Sequence, residues 1–461
     1  KRVLMSSDAV PTGTAELDTL LGGGFPPRSL VLVSGDSGTG KTILSSRFLY
    51  HGAAERGEKG VYFSFAELRT DYFRNMKTLG MDLERLEKNG SFRFLDFPTM
   101  NKQGMEEATK EIMQTVTEFG AKRVVIDPLS AFLQILSPEE SRMFLHVVFG
   151  RLVKTAGATT VVIGEIPYGE SKTGFGMEEF VADGVIILRR AGTIHSEKKI
   201  LEIVKMRGVP VERSMFEYLI DKRYGGIGLI MLPLKAAIES APTERLTTGL
   251  KGLDKMLAGG VYRGSVTLIE GASGIGKTTL CLQCLVANSE KGEKTLHLSF
   301  EEPLGELRRT LKNYGLDHEK LSDRFVIESY VPEALTPMQY YELIRDHVET
   351  LQPTVLAVDT LTAIQRMLPE EDFFTFVRYL QLLCKEKGLT AIVTSALGTF
   401  EAATRSGISA LADNIILMRH REAKNRLVRE MVILKTRGAA HETRVTPFEV
   451  TGRGIVLHAG S

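Results

Sequence analysis

The sequence predicts two tandem α/β domains, each a mostly parallel sheet flanked by helices. Three observations predict it: a long internal repeat, a glycine-rich loop between an apolar run and a helix in each copy, and apolar runs alternating with helical segments. Residues 12–42 read TGTAELDTLLGGGFPPRSLVLVSGDSGTGKT and residues 248–278 read TGLKGLDKMLAGGVYRGSVTLIEGASGIGKT, identical at 15 of 31 positions. Later landmarks recur at offsets that shrink from 236 to 230: Asp127 with Asp359, Asp183 with Asp413, Lys205 with Lys435 and Arg207 with Arg437. A period this long marks a duplicated domain, since solenoid repeats run about 20 to 50 residues. The polar run 240–245 opens the second copy, so the first domain is expected at 1–235, a linker at 236–246 and the second domain at 247–461.

Within the first copy, residues 29–34 form a short apolar run that enters the glycine loop, and 43–50 continue as a helix. Residues 61–65 make a second strand, rich in β-branched and aromatic side chains. Residues 106–119 have helical spacing, 123–126 form a buried strand, and 161–163 and 184–188 form two more. Continuous apolar strands interleaved with helices belong to a parallel sheet covered on both faces.

Composition narrows the function classes. The 58 basic and 57 acidic side chains leave a net charge of +1, which gives no electrostatic footprint for nucleic acid or an anionic membrane. No apolar run approaches the roughly 18 residues that span a bilayer. The opening residues 1–5 hold no signal-peptide core, and three cysteines make no disulfide framework, so a cytoplasmic location is expected. Cys281 and Cys284 form a C-x-x-C on a helix, where the plain reading is two buried small side chains rather than a metal or redox pair.

The chemistry sits in the repeated loops. Residues 35–42 and 271–278 each fit G-x-x-x-x-G-K-[ST] between a strand and a helix, the phosphate-loop context. Gly35, Ser37, Gly38, Thr39 and Gly40 in one copy, and Gly271, Ser273, Gly274, Ile275 and Gly276 in the other, turn backbone N–H groups toward phosphates. Lys41 and Lys277 supply a point charge to the β- and γ-phosphates, and Thr279 is expected among the nucleotide-binding residues of the second copy. Thr42 and Thr278 offer hydroxyls to Mg²⁺. The strands ending in Asp127 and Asp359 deliver a carboxylate beside the same ion, so ATP and Mg²⁺ are the expected cofactors. A further acidic position differs between copies. The second reads Ser299-Phe300-Glu301-Glu302 and the first Ser64-Phe65-Ala66-Glu67, so Glu301 and Glu302 are candidates to orient or deprotonate the attacking group, and Glu67 is what remains in the first.

The duplicated phosphate-loop domains, the segment ending in Glu301-Glu302 and the Lys-x-Arg-Gly motifs at 205–208 and 435–438 together resemble the KaiC-like branch of the RecA superfamily, over nearly the whole chain. The resemblance implies RecA-like P-loop NTPase domains in a two-tiered homo-hexamer, with ATP between adjacent subunits. It implies that Lys205, Arg207, Lys435 and Arg437 reach the neighbouring subunit's nucleotide, as an arginine finger does. It also implies a KaiB-like partner on the first ring. Ser409 falls on the family's autophosphorylated serine, whereas Ala410 replaces the adjacent threonine and Glu179 stands at the matching position of the first copy. Ala66 replaces the family's first glutamate, so hydrolysis in the first ring is expected to be slow or absent. The chain stops at Ser461, before the long tail of the cyanobacterial clock proteins, so a signalling or stress-related homologue is expected rather than a full oscillator.

Two readings of other classes stand beside this one. A DNA-binding recombinase or helicase motor needs basic channel loops, and the candidate loops 167–177 and 398–409 carry little net positive charge. A scaffold glued by nucleotide is compatible with Ala66 in the first ring and opposed by Glu301 and Glu302 in the second.

Overall fold

A computed structural model describes residues 8–97, 102–133, 136–144, 157–166, 181–193, 196–211, 214–229, 242–316, 319–331, 335, 337–396, 409, 412–423 and 426–458. The chain divides into two compact units, 1–231 and 232–461. Most of the expected linker, 236–241, lies outside the described residues.

The first unit contains strands β1 (Leu30–Gly35), β2 (Gly60–Ser64), β3 (Phe92–Asp96), β4 (Arg123–Asp127), β5 (Thr159–Glu165), β6 (Gly184–Thr193), β7 (Ser196–Met206), β8 (Met215–Asp221) and β9 (Gly226–Leu229). They form one sheet in the order β3-β2-β4-β5-β1-β6-β7-β8-β9. The run from β3 to β6 is parallel, and β7, β8 and β9 extend it antiparallel. In the second unit a small antiparallel pair, β10 (Arg245–Leu246) and β11 (Val261–Tyr262), precedes β12 (Val266–Gly271), β13 (Thr295–Ser299), β14 (Phe325–Ser329), β15 (Val355–Asp359) and β16 (Thr390–Ser395). The sheet continues with β17 (Asn414–Ala423), β18 (Arg426–Thr436), β19 (Thr446–Thr451) and β20 (Gly454–Leu457), in the order β14-β13-β15-β16-β12-β17-β18-β19-β20. Position for position this is the order of the first unit, as the duplication requires.

The central strands are buried along their whole length, and alternate residues feed two cores. Val31 and Val33 face the helix Lys41–Glu55 with Leu44 and Phe48, while Leu30 and Leu32 face the helix Lys102–Phe119 with Ile112 and Val116. The antiparallel half is different. β8 and β19 alternate buried with partly exposed positions, and β7 carries Lys198, Lys199 and Glu202 among its apolar residues. Sequence periodicity identifies five of the six parallel strands of the first unit, and it misses β3 and this half-solvated extension.

One buried cation ties the first unit together. Arg123, at the start of β4, is fully buried; its Nε donates to Glu58 at 2.6 Å, and its Nη1 donates to the carbonyls of Pro11 and Phe48. The guanidinium also stacks over the Phe48 ring. It therefore joins the N-terminal segment, the phosphate-loop helix and β4. Its counterpart in the second unit is Val355, which needs no partner. Replacing Arg123 with Ala strands the Glu58 carboxylate and two carbonyls. The variant should lose about 3 kcal/mol of stability in the first unit, read as an earlier transition in chemical denaturation; an unshifted denaturation curve would contradict this.

Candidate nucleotide site

β1 ends at Gly35 and β12 at Gly271; each is followed by a five-residue loop and then by a helix, Lys41–Glu55 or Lys277–Glu290. Gly40 and Gly276 sit at the helix N-caps in the left-handed region, φ 92° and 119°, which only glycine adopts without strain, and no side chain caps either end. Uncapped N–H groups at a helix start are an anion cradle, so the residues fit a bound phosphate chain. The lysines close the loops from inside. Lys41 Nζ donates to the carbonyls of Gly35 and Asp36 at 2.7 and 2.8 Å, and Lys277 Nζ to those of Gly271 and Ala272 at 2.8 and 3.0 Å. Burial pulls both ammonium pKa values down, opposed by Asp127 at Lys41 and by Asp359 and Glu301 at Lys277. Thr39 closes its own loop by donating to the Asp36 carbonyl at 2.7 Å.

The strand carboxylates arrive beside these loops, with different partners in the two units. Thr42 Oγ1 donates to Asp127 Oδ2 at 2.8 Å, and the buried Tyr62 hydroxyl donates to the same oxygen. In the second unit Asp359 instead accepts from Thr394, and Thr278 opposes the burial that raises the Glu302 carboxyl pKa. His297 occupies the position of Tyr62. It is fully buried, and neither ring nitrogen has a hydrogen-bond partner among the described residues. Burial keeps that imidazole neutral by lowering its pKa. Among the described residues no group of three His, Cys, Asp or Glu side chains is placed to hold a metal alone. This donor set suits Mg²⁺, which is held through one or two protein oxygens together with phosphate and water.

Glu301 is exposed at the end of β13, and its charge reaches Lys277. Glu302 is half-buried, its backbone fixed by Ser299 and Ser329, and burial raises its carboxyl pKa. In the first unit Ala66 is exposed where Glu301 stands. Glu67 keeps the matching backbone bonds to Ser64, and its carboxylate accepts from Asn75 at 2.9 Å.

The Lys-x-Arg pairs lie elsewhere. Arg207 N donates to the Asp183 carbonyl, Asp183 accepts from Leu30 N, and Arg207 Nη1 lies 3.1 Å from Asp183. Lys205 pairs in register with Val185. These contacts put the pair at the N-terminal end of β1, five residues or about 17 Å from the phosphate loop at its other end. Arg437, Asp413 and Val266 repeat the arrangement in the second unit. Ser409 is at that same end: Lys435 Nζ donates to its carbonyl at 2.9 Å and to that of Ala412 at 2.8 Å. Within one unit the fold therefore does not bring Lys205, Arg207, Lys435, Arg437 or Ser409 to the nucleotide loop. Glu179, Ala410 and most of the loops 167–177 and 398–409 lie outside the described residues. Cys281 and Cys284 are buried on the helix Lys277–Glu290, and burial pushes the Cys284 thiol up to about 12. They pack as small apolar side chains.

A family model described as KaiC ATPase matches residues 10–233 and again residues 246–461. The chain belongs to the KaiC family of ATPases. Among curated proteins it is similar to the circadian clock oscillator protein KaiC of Prochlorococcus marinus subsp. pastoris, 29% identical over 472 residues, covering 98% of this chain and 91% of that one. The KaiC of Thermostichus vulcanus is 29% identical, with 97% and 88% covered, and that of Synechococcus elongatus 30% identical, with 95% and 86% covered. No helix among the described residues is long and apolar enough to cross a membrane.

Burial holds the Asp127 carboxyl above the usual carboxylate range, against the pull of Tyr62, Thr42 and Lys41. A raised acid pKa means that the ionised group destabilises the fold, and the loss grows as pH rises through the folded value. Asp127→Asn should therefore raise the melting temperature of nucleotide-free protein at pH 7. The gain should vanish below about pH 4, where the carboxyl is protonated in both states. Calorimetry across that range would contradict the assignment if the variant were less stable at pH 7.

Proposed function

We propose that this KaiC-family member is a ring-forming ATPase, in which the phosphate loop of one subunit binds Mg·ATP and the Lys-x-Arg pair of its neighbour completes the site. The observation that carries this reading is the separation within each unit. A cation about 17 Å from its own phosphate loop cannot serve that loop, whereas a neighbouring copy packed edge to end can supply it. Arg207 and Arg437, though paired with Asp183 and Asp413, keep 63% and 51% of their side-chain surface exposed, where a neighbouring copy can reach them. A homo-hexamer is the assembly this reading carries, with a cytoplasmic location and a KaiB-like partner on the first ring.

Hydrolysis is assigned to the second unit, with Glu301 as the group that orients the attacking water and Glu302, Thr278 and Asp359 on the metal side. In the first unit Thr42 and Asp127 hold the metal side, but Ala66 leaves Glu67 as a poor substitute, so ATP there serves mainly to hold the ring. That division retains the scaffold reading for the first ring alone. Ser409 autophosphorylation, in this reading, is a transfer from a neighbouring subunit's nucleotide, because Ser409 is at the far end of its own sheet. A DNA-driven motor has no comparable support.

Steady-state hydrolysis tests the division of labour. Glu301→Gln should lower turnover at least tenfold while Glu67→Gln leaves most of it; the reverse ranking would overturn the assignment. Mixing tests the shared site. Lys277→Ala and Arg437→Ala proteins should each be nearly inactive, and hydrolysis should reappear when they are mixed and reassembled, because some interfaces then join two intact halves. Persistent inactivity of soluble mixed rings would argue against completion in trans.

A further inference from the structure

The two phosphate loops share a motif but differ in what holds them from outside. In the first unit three groups, from the loop, β6 and β8, converge. The buried Tyr218 hydroxyl, on β8, donates to the carbonyl of Thr39. Asp36 accepts from the backbone N–H of Arg190 at 3.2 Å, through Oδ2. The Arg190 side chain then folds over the loop: a methyl group placed on Gly38 would lie 2.6 Å from its Nη2, and Glu197 holds its Nε at 3.3 Å.

The second unit provides an internal comparison. Ala272 stands at the position of Asp36, His420 at that of Arg190 and Phe448 at that of Tyr218. Ala272 cannot accept the backbone bond and Phe448 has no hydroxyl to donate. Among the described residues, a methyl group placed on Gly274, the counterpart of Gly38, meets nothing within 4 Å. All three substitutions remove the same feature.

We propose that Asp36, Arg190 and Tyr218 are positioning residues that lock the first phosphate loop in its binding shape and make the first site release nucleotide slowly, while the second loop, without them, exchanges. The inference rests on the reading of both loops as ATP sites. A loop already held in the bound shape gives up less conformational freedom on binding, and such differences between related sites reside mainly in the dissociation rate. Arg190 adds a positive charge against the loop that cradles phosphate. A slow site suits a unit whose nucleotide holds a ring together, and a fast one suits a unit that turns over.

The test reads dissociation directly. Full-length chain carrying Lys277→Ala reports the first site, and chain carrying Lys41→Ala reports the second. Each is loaded with a fluorescent, non-hydrolysable ATP analogue and Mg²⁺, then chased with excess ATP in a stopped-flow instrument. The first site is expected to release more slowly than the second. Arg190→His with Tyr218→Phe should accelerate first-site release about tenfold or more, from loss of one neutral hydrogen bond and one charged contact. The second site should not respond to that pair. The reciprocal graft, Ala272→Asp with His420→Arg and Phe448→Tyr, should slow second-site release and guards against a first-unit variant that fails to fold. Unchanged release in both the loss and graft variants would overturn the lock. If neither parent background binds the analogue at all, the ATP-site reading itself fails instead.

Discussion

The polarity of the parallel sheet is the constraint on which the rest of the molecule depends. Parallel strands deliver all their C-terminal ends to one side, and there β1 and β12 hand over to the phosphate loops while β4 and β15 present Asp127 and Asp359. Everything anchored at the start of β1 or β12 is on the opposite side. Asp183 and Asp413 bind the first N–H of those strands and carry Arg207 and Arg437 with them. One sheet thus separates the two halves of the proposed site by its own length. On the proposed reading a second copy joins them, and assembly and chemistry become a single event.

Duplication then allowed the two copies to specialise without altering the frame. The strand order is the same, yet the polar groups around the nucleotide loops have diverged as sets. Tyr62, Asp36, Arg190 and Tyr218 in the first unit correspond in sequence to His297, Ala272, His420 and Phe448 in the second. The first set engages the loop or its strand aspartate through hydrogen bonds, and the second set drops those bonds. At the acidic position the direction reverses, with Ala66 in the first and Glu301 in the second. One unit has gained restraint where it lacks the carboxylate, and the other keeps the carboxylate on a looser frame.

The sequence makes some of this legible, and physical reasons explain the remainder. The central strands are readable because both faces are buried, which writes nearly continuous apolar runs such as 123–126. The phosphate loops are readable because fixed spacing is what the chemistry requires. The antiparallel extension is not, since one face of β7 is solvated and its lysines and glutamate mask the alternation. Tyr218 and Arg190 escape for another reason. They act on residues 36–39 from about 150 to 180 positions away, through pairings that no local pattern encodes. The Lys-x-Arg motifs are visible from their recurrence, but their distance from the phosphate loop of their own unit emerges only from strand register.

The most direct measurement of shared sites is the specific ATPase rate as a function of chain concentration, with native mass spectrometry on the same dilutions. Completion in trans predicts that hydrolysis per chain falls on dilution in step with loss of the multi-subunit assembly. A monomer that binds nucleotide and hydrolyses it at an undiminished rate per chain would contradict the account.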